Sequence, residues 1–307
     1  MAIYNKNGNV IMPTISVTDY GAKGNGVADD SLAIQNALSS LANGGTIIFP
    51  KGTYKVNNAL LFYSNQTLWF EIGAVILQGA SIDNLLRTYS ESTWGEYDGV
   101  HDCLIYGATF DGGAYTTNNT LVGISHAKNI IFERCVFKNA YGTWHNLEIN
   151  SSYNVKVINC EFEGSRKTGQ NGEMLQIDGA GSSSYYPWSN VKIDNTVSKY
   201  IDIHGCVFHD STVVPAIGNH SNMAHKFVRI HDCIFDGLTS SRGALNFVSN
   251  MSDIDIYDNT FNDCDIGIGS SGATYYVHDN RFVNVTTAIS GTASISHNNM
   301  INGSFVA

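Results

Sequence analysis

Apolar residues pair two apart at intervals along the chain: Cys103/Ile105, Ile130/Phe132, Val155/Val157, Ile201/Ile203, Val228/Ile230 and Ile254/Ile256. Alternation with period two marks a strand that buries one face. Three residues after each pair comes a small side chain, and two residues further a Phe, as in ERCVF, INCEF, HGCVF and HDCIF. This slot is Ala108, Cys135, Cys160, Cys206, Cys233 and Asn259, and it continues as Asn280 in HDNRF and Asn298 in HNNM. Successive slots lie 27, 25, 46, 27, 26, 21 and 18 residues apart. A strand-rich repeat in the twenties predicts a solenoid in which each coil stacks on the one before.

Between the apolar pairs stand Ile131, Lys156, Asp202, Arg229 and Asp255, which face outward. With coils ~4.8 Å apart, the last four form a ladder of alternating charge, a favourable cross-strand arrangement. A second strand family follows each slot: NLEINS, MLQIDG, AIGNHS, ALNFVS and DIGIGS. Two or more strands per coil give a parallel β-helix, counted from the slots at roughly eight coils. The 46-residue interval reads as one coil carrying an insertion at 180–199. Its GSSSYYPWSN is turn-prone and aromatic, suited to a loop lying over one face. The expected fold is therefore all-β, a single right-handed parallel β-helix over residues 1–307 with a short N-terminal capping helix.

The cap is placed at 14–58. Asp29 or Asp30 caps a helix whose apolar stripe is Leu32, Ile34, Leu38 and Leu41, and Gly44-Gly45 ends it. Such a helix closes the open end of a solenoid. Composition agrees: charged residues are only 14 %, and 30 Gly stand against 4 Pro. The net charge of −10 has the wrong sign for nucleic acid. No apolar run is long enough to cross a bilayer, and MAIYNKNGNV lacks the core of a signal peptide. The six Cys include no CxxC pair, and we read them as reduced, buried small hydrophobes.

DYGAKGNGVADD, AIQNAL and GGTIIFPKGTYKV, in that order and spacing, resemble the N-terminal signature of the pectate-lyase-like β-helix superfamily. The motif spans about an eighth of the chain. The superfamily includes polygalacturonases, polysaccharide lyases and bacteriophage tail-spike depolymerases. The resemblance implies a polysaccharide substrate, a virion (phage tail) or extracellular setting, and a homotrimer as the assembly. Polygalacturonase-type members carry Asn-Thr-Asp, Asp-Asp and Gly-His-Gly on successive coils. Here Gln176-Ile177-Asp178, His209-Asp210 and Asn219-His220-Ser221 are similar in order, whereas the Asp-Asp pair and the Arg-Ile-Lys tail are absent.

The second strand family also carries the candidate chemistry. Leu147, Leu175, Ile217 and Leu245 align as inward-facing. The outward columns are then Glu148, Gln176, Gly218, Asn246 and Asn150, Asp178, His220, Val248. Asp178 and His220 fall on adjacent coils, Glu173 begins the Asp178 strand, and His209-Asp210 leads towards the His220 strand. The expected catalytic residues are Asp178, Glu173, Asp210 and His220. The expected glycan contacts are Glu148, Asn150, Gln176, Tyr185, Tyr186, Trp188, His209, Asn246 and Arg242. Paired carboxylates one or two coils apart suit glycoside hydrolysis, the leading expectation because few cations are at hand to grip a polyuronate. In the alternative, a lyase, His220 or a Tyr abstracts the proton α to a uronate carboxylate. That reaction needs a cation: Arg166, Lys167, Arg242, or a Ca²⁺ held by Glu148, Glu173 and Asp178. The hydrolase itself needs no cofactor. A module that only adsorbs to glycan is the third reading. His204 and His231, on neighbouring coils, read as surface stacking rather than a metal site.

Overall fold

The computed structural model describes residues 3–4, 10–168, 172–186, 188–248, 250–291 and 295–306. Among them, three long sheets of eleven, twelve and nine strands run side by side, and nearly every pairing joins one coil to the next in parallel. The apolar pairs lie in the eleven-stranded sheet, the slot Phe residues in the twelve-stranded sheet, and the second strand family in the nine-stranded sheet. The register is the one the columns predict. Ile130 pairs with Val155, Val155 with Ile201, Ile201 with Val228 and Val228 with Ile254. Val157 pairs directly with Ile203, so the long interval is one coil with a loop inserted. Outside, Asp202 lies between Lys156 and Arg229 and takes a 2.9 Å ion pair from the latter.

The coil count is higher than the slots indicate. Thr14–Ser16, Gly45–Phe49 and Gln66–Phe70 are the first strands of the eleven-stranded sheet. These coils carry no Cys-x-Phe or Asn-x-Phe slot, so the repeat could not reveal them. The helix Ser31–Ser40 buries Ile34, Ala37 and Leu38, but Leu32 is 73 % exposed. Two residues before Ile34 is about 200° around a helix, so Leu32 falls on the opposite face. Asp29 rather than the N-cap Asp30 receives the Ser31 amide; the Asp30 carboxylate instead takes the Lys23 and Gly24 amides.

Inside, Phe110, Phe137, Phe162, Phe208, Phe235, Phe261 and Phe282 stack coil on coil, with ring centres 4.6 to 5.4 Å apart. The six cysteines are free and buried. Most slot side chains link the coils by supplying an acceptor to the backbone amide of the coil before. Cys160 Sγ accepts from Cys135 N–H, and Asn259, Asn280 and Asn299 Oδ1 accept from Cys233, Asn259 and Asn280 N–H. The last slot is thus Asn299, not Asn298. Asn298 has φ 54° and belongs to the preceding column with Arg134, Asn159, Asp232, Asp258 and Asp279, all left-handed. Asx side chains tolerate that conformation, which makes the sharp turn.

Candidate functional site

In the nine-stranded sheet Leu147, Leu175, Ile217 and Leu245 stack inward. Glu148, Gln176, Gly218 and Asn246 form one outward column, and Asn150 pairs with Asp178 in the next. Facing outward does not mean facing water. Glu148, Asn150, Glu173, Gln176 and Asp178 are all buried, between 0 and 1 % exposed. The 180–199 insertion folds back over the earlier coils of this face. Tyr186 is buried with its hydroxyl 2.7 Å from Ser151 Oγ, and Trp188 lies against Gly123. A Cβ at Gly123 would come within 2.5 Å of the indole, so only glycine admits this approach. Tyr186 is therefore a packing residue rather than a surface for sugar, and the Tyr185 side chain lies outside the described residues. Trp188 is half-buried under Arg87 and lines a groove of about 370 Å³ with Asp83, Asn84 and Arg87.

At the open end of this face stands His220, whose side chain is 34 % exposed. Behind it, Glu173 spreads its two carboxylate oxygens between two basic side chains: Oε2 is 3.2 Å from His220 Nδ1 and Oε1 is 2.9 Å from Arg242 Nη1. Gln176 Nε2 donates to His220 Nε2 at 2.8 Å and to Asp178 Oδ2 at 3.1 Å. The imidazole thus carries its proton on Nδ1, towards Glu173, and its lone pair on Nε2. Burial opposes a second proton, yet the hydrogen bond and charge of Glu173, with Asp178 adding, outweigh it and raise the His220 pKa above the usual imidazole value.

Asp178 Oδ2 lies 3.9 Å from His220 Nε2, so the two expected partners do meet. Asp178 Oδ1 accepts from Gly179 N–H at 2.9 Å and from Ser221 Oγ–H, and His225 Nε2 stands 3.4 Å away. His225 is completely buried, and its Nδ1 accepts the Ser198 amide at 3.0 Å, so its proton sits on Nε2 facing Asp178. Burial pushes the Glu148 pKa up to about 8, against hydrogen bonds from Thr120 and Asn150, which leaves a neutral carboxylic acid at pH 7. The same burial brings Lys167 down to about 7, with its Nζ–H donating to the Trp144 carbonyl. His145, whose ring centre is 5.8 Å from that of His220, is held well below its usual pKa by burial and then by the positive charge that His220 and Lys167 carry when protonated.

Several expected members are elsewhere. His209 and Asp210 lie on the twelve-stranded sheet, where His209 bonds Asp210 at 2.7 Å and Glu161 at 3.2 Å. A coil has three faces, and the turn after His209 separates that pair from the His220 face. Arg166 donates to the carbonyls of Gly113 and Tyr115 over the Tyr141 ring, so it is a structural tether. Glu148, Glu173 and Asp178 do not gather as a Ca²⁺ site. Among the described residues, the acidic and imidazole ligand atoms that converge within 4.8 Å belong to Asp202, His204 and His231. The two imidazoles do stack, at 4.9 Å, but a carboxylate accompanies them: Asp202 is 3.2 Å from His231 Nε2. Asn246, 8 % exposed, pairs with Gly218, which stands one coil beyond Gln176 in the outward column. His145 and His225 were missed: His145 stands two residues before Leu147 as Glu173 stands before Leu175, and His225 is in register with Ser198, but only the folded coils show that these positions meet Glu173 and Asp178.

The chain belongs to the rhamnogalacturonase A/epimerase, pectate lyase-like family, whose model matches residues 14–304, and its fold is the right-handed parallel β-helix. Over 240 residues it is 29 % identical to plasmin and fibronectin-binding protein A of Streptococcus pneumoniae, covering 67 % of this chain and 33 % of that protein. Over 220 residues it is 26 % identical to the preneck appendage protein of Bacillus phage PZA, covering 64 % and 23 %. The chain thus spans a third or less of the length of these relatives. An exopolygalacturonase from Thermotoga maritima shares the fold, with a TM-score of 0.63 and 13 % identity over 94 % of this chain and 80 % of that one. These relatives are named as a plasmin and fibronectin-binding protein and a phage appendage, and no helix of the described chain is long and apolar enough to cross a membrane.

Proposed function

We propose that the nine-stranded face binds and cleaves an extended uronate-containing polysaccharide, on a virion or outside the cell, with His220 as the base of a β-elimination. The observation that carries this is the single carboxylate of Glu173 shared between His220 Nδ1 and Arg242 Nη1. A carboxylate behind an imidazole fixes the tautomer and steadies the imidazolium that forms, and so makes Nε2 the working base. The Gln176 amide that now caps Nε2 yields to substrate. Arg242, on the other oxygen of the same carboxylate and 24 % exposed, is the cation assigned to the uronate carboxylate in this reading. Nε2 takes the proton α to that carboxylate, those electrons form the double bond, and the glycosidic C–O bond breaks, its oxygen collecting a proton from water. Hydrolysis by paired carboxylates fits less well, because Glu173 and Asp178 are 0 % exposed and cannot touch a glycosidic bond. Their part is to position and charge His220. The family description, which joins rhamnogalacturonase A and epimerase, agrees with chemistry on a uronate-containing glycan and does not choose between hydrolysis and proton abstraction.

Incubation with polygalacturonate, polymannuronate and polyguluronate should give ultraviolet-absorbing unsaturated ends, and His220→Ala should lower the rate by about 10²–10⁴-fold. New reducing ends without unsaturation would return the reaction to hydrolysis. A second reading, a glycan-adsorbing module without turnover, is favoured by both His220 nitrogens being engaged by protein and by the binding function in the name of the streptococcal relative. Retention of polyuronate with no product at all would establish it.

A further inference from the structure

In the eleven-stranded sheet the second residue of six successive strands is left-handed: Asp102, Asn129, Asn154, Tyr200, Phe227 and Asp253, with φ between 54° and 61°. Four are Asn or Asp, which accept this conformation readily; Tyr and Phe do not. Backbone strain of this kind persists where the residue serves something other than folding. Both exceptions also expose aromatic surface, Tyr200 at 45 % and Phe227 at 37 %, and their rings stack at 4.7 Å on a ridge continued by Tyr153. The ridge walls a cavity of about 420 Å³, which Tyr276 closes from a later coil. Asp202, Arg229 and Asp255 line it. A cavity of this size with apolar walls and a few fixed polar groups is the usual form of a small-ligand site.

We infer that this cavity is a second saccharide site, on a different face from the His220 cluster, and that it takes a neutral hexose oligosaccharide. Flat aromatic surface meets the apolar face of a pyranose, while the Asp and Arg groups hydrogen-bond its hydroxyls. Two cations, Lys156 and Arg229, stand against three carboxylates, Asp202, Asp253 and Asp255, so the cavity repels a polyuronate. It would hold a glycan by a part that the reaction does not touch.

Cellohexaose and maltohexaose titrated calorimetrically should show binding at millimolar concentration or below. Tyr200→Asn with Phe227→Asn should weaken it at least about tenfold, while the thermal midpoint stays level or rises because Asn relieves the strain. His220→Ala should leave this binding unchanged, so the two faces fail independently. The inference is overturned if neither hexasaccharide binds, if the double variant binds as the parent does, or if trigalacturonate binds the cavity equally well. It is also overturned if sedimentation shows the double variant dissociating an oligomer, for then the ridge holds a second copy of the chain.

Discussion

Glu173 shows how much one buried side chain can set. Its charge and hydrogen bond raise the His220 pKa against the effect of burial, and a base must be unprotonated to act. The acid limb of the rate profile should therefore lie above the ordinary imidazole range. Glu173→Gln removes the raising partner, so the limb should move to lower pH while kcat falls about 10²-fold or more. A pH–rate series on both proteins tests this, and an unmoved limb would show that His220 is not the titrating group. Glu148 makes a different prediction. Its folded pKa of about 8 lies above the unfolded value near 4.5, so the folded state holds the proton more tightly. Its contribution to stability is full below pH ~4.5 and is lost as pH rises through about 8, at ~1.4 kcal/mol per pKa unit, or on the order of 5 kcal/mol in all. Glu148→Gln, neutral at every pH, should melt higher than the parent at pH 8 and close to it at pH 4.5. Equal melting differences at both values would place the Glu148 carboxyl among ordinary acids.

Among the elements, the 180–199 insertion does the most to define the face. Its length and aromatic content were legible in the sequence, but which rings it would offer was not. Tyr186 goes inward to Ser151, and Trp188 remains in the groove beside Arg87, four coils and so ~19 Å from the His220 strand. A contact that remote binds ground state and transition state alike. Trp188→Ala should raise KM several-fold on long polyuronates with kcat unchanged, and a fall in kcat alone would place the reacting sugar under the indole. The strand columns were readable because period two and a constant slot leave little freedom. The neighbourhood of Asp178 was only half readable. Ser221 and His220 share its column region, whereas His225 precedes a strand of the eleven-stranded sheet, in register with Ser198, and only the fold shows that this column reaches Asp178.

Over the whole molecule, stacking turns distant residues into neighbours and couples the coils. The Phe stack from Phe110 to Phe282 runs through most of the solenoid, and Phe208 sits in its middle, fully buried between Phe162 and Phe235. Phe208→Ala should cost about 3–5 kcal/mol, read as a lower denaturant midpoint. Two separate transitions would reveal that the hole uncouples the two halves. The sequence by itself determined the parallel β-helix, the register of its columns and the face on which titratable groups gather, because a repeated strand pattern admits only one stacking that keeps every apolar pair inside. Tertiary structure alone decided which groups meet solvent. A column specifies that a side chain leaves the coil, but a loop inserted in one coil and folded over its neighbours determines whether water or protein receives it, and so whether a carboxylate can touch substrate or must act through His220.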